Sequence, residues 1–440
     1  MEADNQPQRA GADGGLHYGF VVLGLVVLVV FGALGLARFG YTSILPAMQE
    51  ALALSNTQTG ALQSWNLLGY MLTVVVAGVL AARFGPRVVI SVALLVVSAA
   101  MVLTGLIPSF RAACVGRFLA GVGGAGSNVP AMALVSAWFG ARRRGLAAGV
   151  GVAGSSLGLM VTGPLIPAIL QRGGEGGWRV SWYALGALTL AVSAAAALFL
   201  RNRPAEKGLR PIGESETGRN SKPATSASAV LNWGSVYRSR LLWKLAGIYF
   251  GFGFSYIIYS TFFVRYLTAE AGFSRTAAGT LWFQIGMVSI ASGFLWGSVS
   301  DRWGRRAALL WVFGLQGTAF LVFGLSREWW SVYLSAALFA VTAWSVPALM
   351  AALCGDLFGP RLAPAALGLI TMVLGLGQVF GPYLAGAIAD ATRSFGPAFL
   401  LAGGAAWALG GGGSLTLQRG VGLTPHSVAV PGKDGDRATQ

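Results

Sequence analysis

The stretch Gly297–Arg306, GSVSDRWGRR, follows a long apolar run ending at Trp296, and its reading decides the rest of the chain. An acid and three arginines at the end of an oily segment suit a short turn between two membrane helices. There the arginines meet lipid headgroups and the acid needs a partner. Gly78–Arg87, GVLAARFGPR, repeats the phrase with Ala82 in place of the acid. Gly78, Leu80, Arg83, Gly85 and Arg87 correspond to Gly297, Val299, Arg302, Gly304 and Arg306 at a constant offset of 219, half of the 440-residue chain. LSNTQTGAL at Leu54 and FSRTAAGTL at Phe273 share that offset, as do Gly140 with Gly359 and Gly149 with Gly368. One offset held across several segments and their loops marks an internal duplication.

Composition agrees with a membrane protein. The chain is 55% hydrophobic and only 10% charged, and its 64 glycines suit helices that approach closely within a bilayer. A crossing helix needs about 20 mostly apolar residues, and twelve such segments are predicted, the first over 18–40. Arg38 and Arg117 are the formal charges well inside them. With both termini placed in the cytoplasm, 22 Lys and Arg fall on the cytoplasmic side and seven on the other, which sets the orientation. The net charge of +16 is therefore a membrane signature and not a nucleic-acid footprint. Cys114 and Cys354, inside predicted helices, are expected as packing residues with no disulfide or metal site.

The fold expected is an all-α membrane protein of twelve transmembrane helices in two pseudo-symmetric six-helix bundles. Its parts are a cytoplasmic N-terminal tail (1–17), a first bundle (18–200), a polar cytoplasmic linker (201–240), a second bundle (241–418) and a cytoplasmic C-terminal tail (419–440). Parallel six-helix repeats are the architecture of alternating-access carriers with a central site between the halves.

The pattern G-x-L-x-D-R-x-G-R-R, whose better copy here is Gly297–Arg306, resembles the signature of the major facilitator superfamily. RFLAGVGGAG, Arg117–Gly126, is similar to that superfamily's helix-4 motif. ARFGYTSILPAM at Ala37, SAWFGARRRGLAAGVGVAGSSLG at Ser136 and GQVFGPYLAGAIADATRSFGPAF at Gly377 are similar to its bacterial monocarboxylate, oxalate/formate and YbfB/YjiJ-type branches. The resemblance covers nearly the whole chain and implies the superfamily's fold and gates. In it, Asp301 would face the positive start of a helix in the other half and latch the inner gate, with Arg302, Arg305 and Arg306 beside it. A plainer alternative is that Asp301 only pairs with Arg302 or Arg305. Ala82 breaks the first copy, so Arg83 and Arg87 need an acid from elsewhere, and Asp356 in CGDLFGPR is the candidate.

Helices 1 and 4 line the central cavity in the superfamily, so Arg38 and Arg117 are expected to approach one depth there with no intramembrane carboxylate. Paired guanidinium forks suit a carboxylate or phosphate. Against this, Arg38 could snorkel to outer headgroups and Arg117 could be structural. The second half offers Tyr256, Tyr259, Trp282, Gln284, Gln378 and Tyr383 as a facing wall, each aromatic having packing as its alternative. The function expected is a secondary transporter moving a small, monocarboxylate-like organic anion by alternating access, any proton moving with the substrate. Efflux of a neutral or amphipathic compound, or a non-transporting polytopic receptor or scaffold, stays open. No catalytic set, cofactor or nucleic-acid partner is expected, and the chain should act as a monomer in the bilayer.

Overall fold

A computed structural model describes residues 17–106, 108–213 and 237–417. The tails apart from His17, together with Ile107, Gln418 and the middle of the linker, lie outside the described residues. The described chain is helical, and its extended pairing is a single bridge between Phe139 and Ile212. The helices run as α1 Tyr18–Ala51, α2 Asn56–Phe84, α3 Pro86–Leu106, α4 Phe110–Trp138, α5 Ala141–Gly173 and α6 Gly177–Phe199. After the linker come α7 Arg240–Ala269, α8 Arg275–Ser289 with Ser292–Trp303, α9 Arg305–Leu325, α10 Trp329–Gly359, α11 Leu362–Thr392 and α12 Gly396–Leu415. Among the described residues, ten helical stretches pass as spans by length and hydropathy, and α8, bent by 40°, makes an eleventh. The stretch Arg143–Phe199 divides at a tight turn, Gly174–Gly176, and counted as two crossings it brings the total to twelve.

The first helix runs past the expected end at residue 40 to Ala51. Its second part, GYTSILPAMQEA, is too polar to read as bilayer-facing, but Gly40–Pro46 are buried between neighbouring helices. Thr42 donates to the Ser260 carbonyl of α7 at 2.7 Å.

The duplication seen in the sequence reappears in the backbone. Ser55 caps α2 by accepting from the Gln58 N–H, and Ser274, 219 residues on, caps α8 by accepting from Ala277. Such caps satisfy donors left open at a helix start and contribute about 1 kcal/mol each. The turns after α2 and α8 use Gly85 (φ 84°, ψ 144°) and Gly304 (φ 86°, ψ 157°), a region open to glycine and strained for other residues.

Two seams join the first six helices to the last six. In one, α2 lies on α11, where a Cβ on Gly60 would strike the Pro382 backbone. In the other, α5 lies on α8, where Gly163 and Gly279 meet backbone to backbone. Both contacts sit toward the end of the bundle away from the linker. At the linker end, Gly78 on α2, Gly368 on α11, Gly149 on α5 and Gly297 on α8 have nothing within 4 Å of where a Cβ would be. The seams are closed at one end and splayed at the other. Hydrogen bonds between the halves, among them Thr42–Ser260, Asn56–Asp390 and Gln171–Thr276, also lie away from the linker end, so the molecule is open toward its linker face.

Candidate anion site

The first helix is α-helical to Val30 and then widens into π turns over Phe31–Phe39. A π turn carries more residues per turn and rotates the side chains beyond it, a device common at functional sites. Within these turns the Ala37 carbonyl accepts from the Arg117 guanidinium at 2.6 Å. Arg117 also donates to Gln63 Oε1 on α2 at 2.6 Å and lies over the Tyr41 ring at 4.6 Å. It is fully buried. Arg117 thus makes its hydrogen bonds inside the first six helices, while its Nε, like that of Arg38, has no hydrogen-bond partner among the described residues. Its carbonyl accepts from Asn66, so α1, α2 and α4 are tied together one residue before Arg38.

Arg38 points the other way, toward the seam between the halves. Its guanidinium lies over the Tyr70 ring at 4.5 Å, and Asn128 donates to the Tyr70 hydroxyl at 2.8 Å. From the second half, the Tyr256 hydroxyl interacts with the same guanidinium and accepts from Gln378 at 2.6 Å. Arg38 is buried at 6% exposure, its Nε has no hydrogen-bond partner, and no ion pair among the described residues involves it. Of the expected residues, the structure brings together Arg38, Tyr256 and Gln378. It adds Tyr70 and Asn128, whose signal in the sequence was a lone tyrosine and a lone asparagine in apolar runs.

The other candidates lie elsewhere. Tyr259 donates to or accepts from Ser335 and sits among Phe320, Phe323 and Phe339, in the core of the second half. Trp282 is fully buried and stacked on Phe263. Gln284 and Tyr383 are exposed and make no hydrogen bond to the cluster among the described residues. An aromatic residue's facing is set by tertiary packing, which sequence alone does not reveal.

The expected gate residues are not engaged across the halves. Asp301 pairs with Arg305 at 2.7 Å, one turn away, as the plainer alternative had it. Asp356, expected to serve Arg83 and Arg87, accepts from Arg305 at 2.9 Å instead. Arg87 donates to the Ala197 carbonyl, its backbone N–H goes to Asn202, and Arg83 lies over Phe84. Arg302 is exposed and Arg306 half-buried. The physical reason is separation: with the linker face open, neither charge reaches the opposite half.

Chemically the cluster can hold an oxyanion. Each tyrosine hydroxyl already accepts from an amide, so its own proton is free to donate, and Arg38 adds a planar fork. No group of His, Cys, Asp and Glu among the described residues could hold a metal ion. A hollow of about 280 Å³ between α2, α3 and α4, with Val92, Val96 and Val122 in its lining, is apolar and lies apart from this chemistry.

The Major Facilitator Superfamily model matches residues 27–325 and 262–411, which together take in most of the chain. The chain belongs to that superfamily. This major facilitator is 26% identical over 403 residues to the probable sulfoacetate transporter of Cupriavidus necator, covering 87% of this chain and 90% of that one. It is 28% identical to mouse monocarboxylate transporter 11, over 90% of this chain and 86% of that protein. In fold it matches a bacterial homologue of the lysosomal transporter Spinster, solved inward-facing and unoccupied, with a TM-score of 0.64 at 21% identity over 91% of this chain and 93% of that one. Family and relatives are transporters, and this is an integral membrane protein and not an enzyme.

Proposed function

We propose that this major facilitator moves a small organic anion across a bacterial cytoplasmic membrane by alternating access, with Arg38 as its anion anchor. Arg38 itself carries the reading: a buried guanidinium whose Nε is unpartnered and which faces no carboxylate. A buried cation without a counter-ion is costly, so an anion that docks there relieves the cost. The names of the sulfoacetate and monocarboxylate relatives point to the same chemistry. Tyr70 with Asn128 and Tyr256 with Gln378 flank the anchor from the two halves, so a bound anion would touch both. The charge bias puts the linker face in the cytoplasm, and the structure is then inward-open. The described Asp and Glu side chains sit at helix ends or in turns, so a proton that crosses would travel on the substrate. The site lies within one chain, in keeping with action as a monomer.

The test is counterflow in proteoliposomes with monocarboxylates, dicarboxylates, sulfonates and organic cations. Trans-stimulated uptake of monoanions, lost in Arg38→Ala, is expected. Uptake of cations without anions, or an absence of counterflow for every compound, would overturn the reading.

A further inference from the structure

The closed end of the bundle is held by a pair of contacts that obey the same 219-residue repeat. At the α2–α11 seam, the Asp390 carboxylate accepts from the backbone N–H groups of Asn56 and Thr57 at 2.9 and 2.8 Å, and from the Thr57 hydroxyl at 2.5 Å. Asn56 and Thr57 are the first residues of α2, whose open N–H groups carry the positive end of the helix dipole. At the α5–α8 seam the equivalent residues are Gln171 and Thr276, and Gln171 donates to the Thr276 hydroxyl at 2.9 Å. The geometry is repeated, but one side is a charge on a helix start and the other a single neutral hydrogen bond. Arg275 and Glu50, paired across the halves at 2.9 Å, stand beside the neutral contact and are both well exposed.

We propose that Asp390 is the principal latch of the outer gate and that the two seams are locked at opposite ends. The α2–α11 seam carries its acid at the outer end, and at its inner end has Ala82 where the repeat has Asp301. The α5–α8 seam is neutral at the outer end, at Gln171, and carries Asp301 at the inner end. At the repeat positions each seam thus carries one acid, placed diagonally to the other. Asp390 is engaged here because the outer end is closed, and Asp301 is turned onto Arg305 because the inner end is open. Rocking between the two states would exchange one acid–helix contact for the other, so neither conformation gains a large advantage.

The experiment uses the full-length protein in nanodiscs, with no substrate, which separates it from the anion reading. Spin labels at Ala51 and Ala391, exposed at the outer ends of α1 and α11, report the outer separation by double electron–electron resonance. Asp390→Asn should raise the outer-open population about three- to tenfold. Gln171→Glu, which places a second carboxylate at a helix start, should lower it. Adding Asp301→Asn to Asp390→Asn should shift the distribution back toward inward-open. An unchanged distribution in Asp390→Asn at wild-type thermal stability overturns the proposal. If that variant proves unstable, an unchanged or raised outer-open population in Gln171→Glu overturns it instead.

Discussion

Replacing Arg38 by lysine keeps the charge over Tyr70 but removes the planar fork, so anion affinity should fall while transport persists. Arg38→Ala should raise the half-saturating concentration about tenfold to a hundredfold, the loss of a charge-assisted hydrogen bond of roughly 1.5–3 kcal/mol. Concentration-dependent uptake of a monoanion reads both. Arg117→Ala is expected to act differently. It strands the Ala37 carbonyl and Gln63 in a buried site and leaves a void, about 2–4 kcal/mol of stability, seen as a lower unfolding midpoint in detergent. An Arg117→Ala protein with wild-type thermal stability and weakened anion binding would return that residue to the cavity. Arg38, Gln378 and Tyr256 were legible in the sequence because a polar or charged group in a bilayer helix is costly and so has a task. The bonds of Arg117 were not legible, because two arginines at similar depth look alike in the sequence and only the fold brings Arg117 onto Ala37 and Gln63.

At the scale of elements, the seams and the first helix depend on glycine contacts that a methyl group would break. The Gly35 and Gly158 backbones touch where α1 crosses α5, so a Cβ on Gly158 would meet Gly35 closer than van der Waals contact. Gly158→Ala should push the helices apart at a cost of about 1–3 kcal/mol, with a lower unfolding midpoint and impaired transport. Gly314 on α9 has nothing within 4 Å, and Gly314→Ala should be neutral or stabilising by roughly 0.5–1 kcal/mol. Equal effects of the two would show that the α1–α5 crossing is not tight. The repeat and the run of apolar helices followed from hydropathy and from the 219-residue offset. The extension of α1 to Ala51 did not, because its polar residues are buried by neighbours that hydropathy cannot see. The state of the gates was illegible for a related reason: one sequence encodes both the closed and the splayed seam.

For the whole molecule, the placement of acids at helix ends has a measurable outcome. If protons cross only on the substrate, uptake of a weak carboxylic acid should respond to an inward pH gradient and uptake of a sulfonate should not. A sulfonate accumulating with the pH gradient would reveal a titrating group of the protein itself. Proteoliposomes with imposed gradients and radiolabelled substrates supply the comparison.

The start of the linker is bound to the first six helices more firmly than its composition suggests. Ile212 exchanges backbone hydrogen bonds with Trp138 and Gly140, Trp138 donates to the Arg201 carbonyl, and Asn202 accepts from the Arg87 N–H. Lys207 lies over Tyr18, whose hydroxyl donates to Phe199. For anyone producing this transporter as two co-expressed fragments, the place to cut is therefore not where the sixth helix stops. A break after Gly213 leaves the first fragment with its own underside intact, and the halves should reassemble into a working carrier. A break at Leu200 strips away Arg201, Asn202, Lys207 and Ile212 with the other piece, and the yield of reassembled transporter should drop.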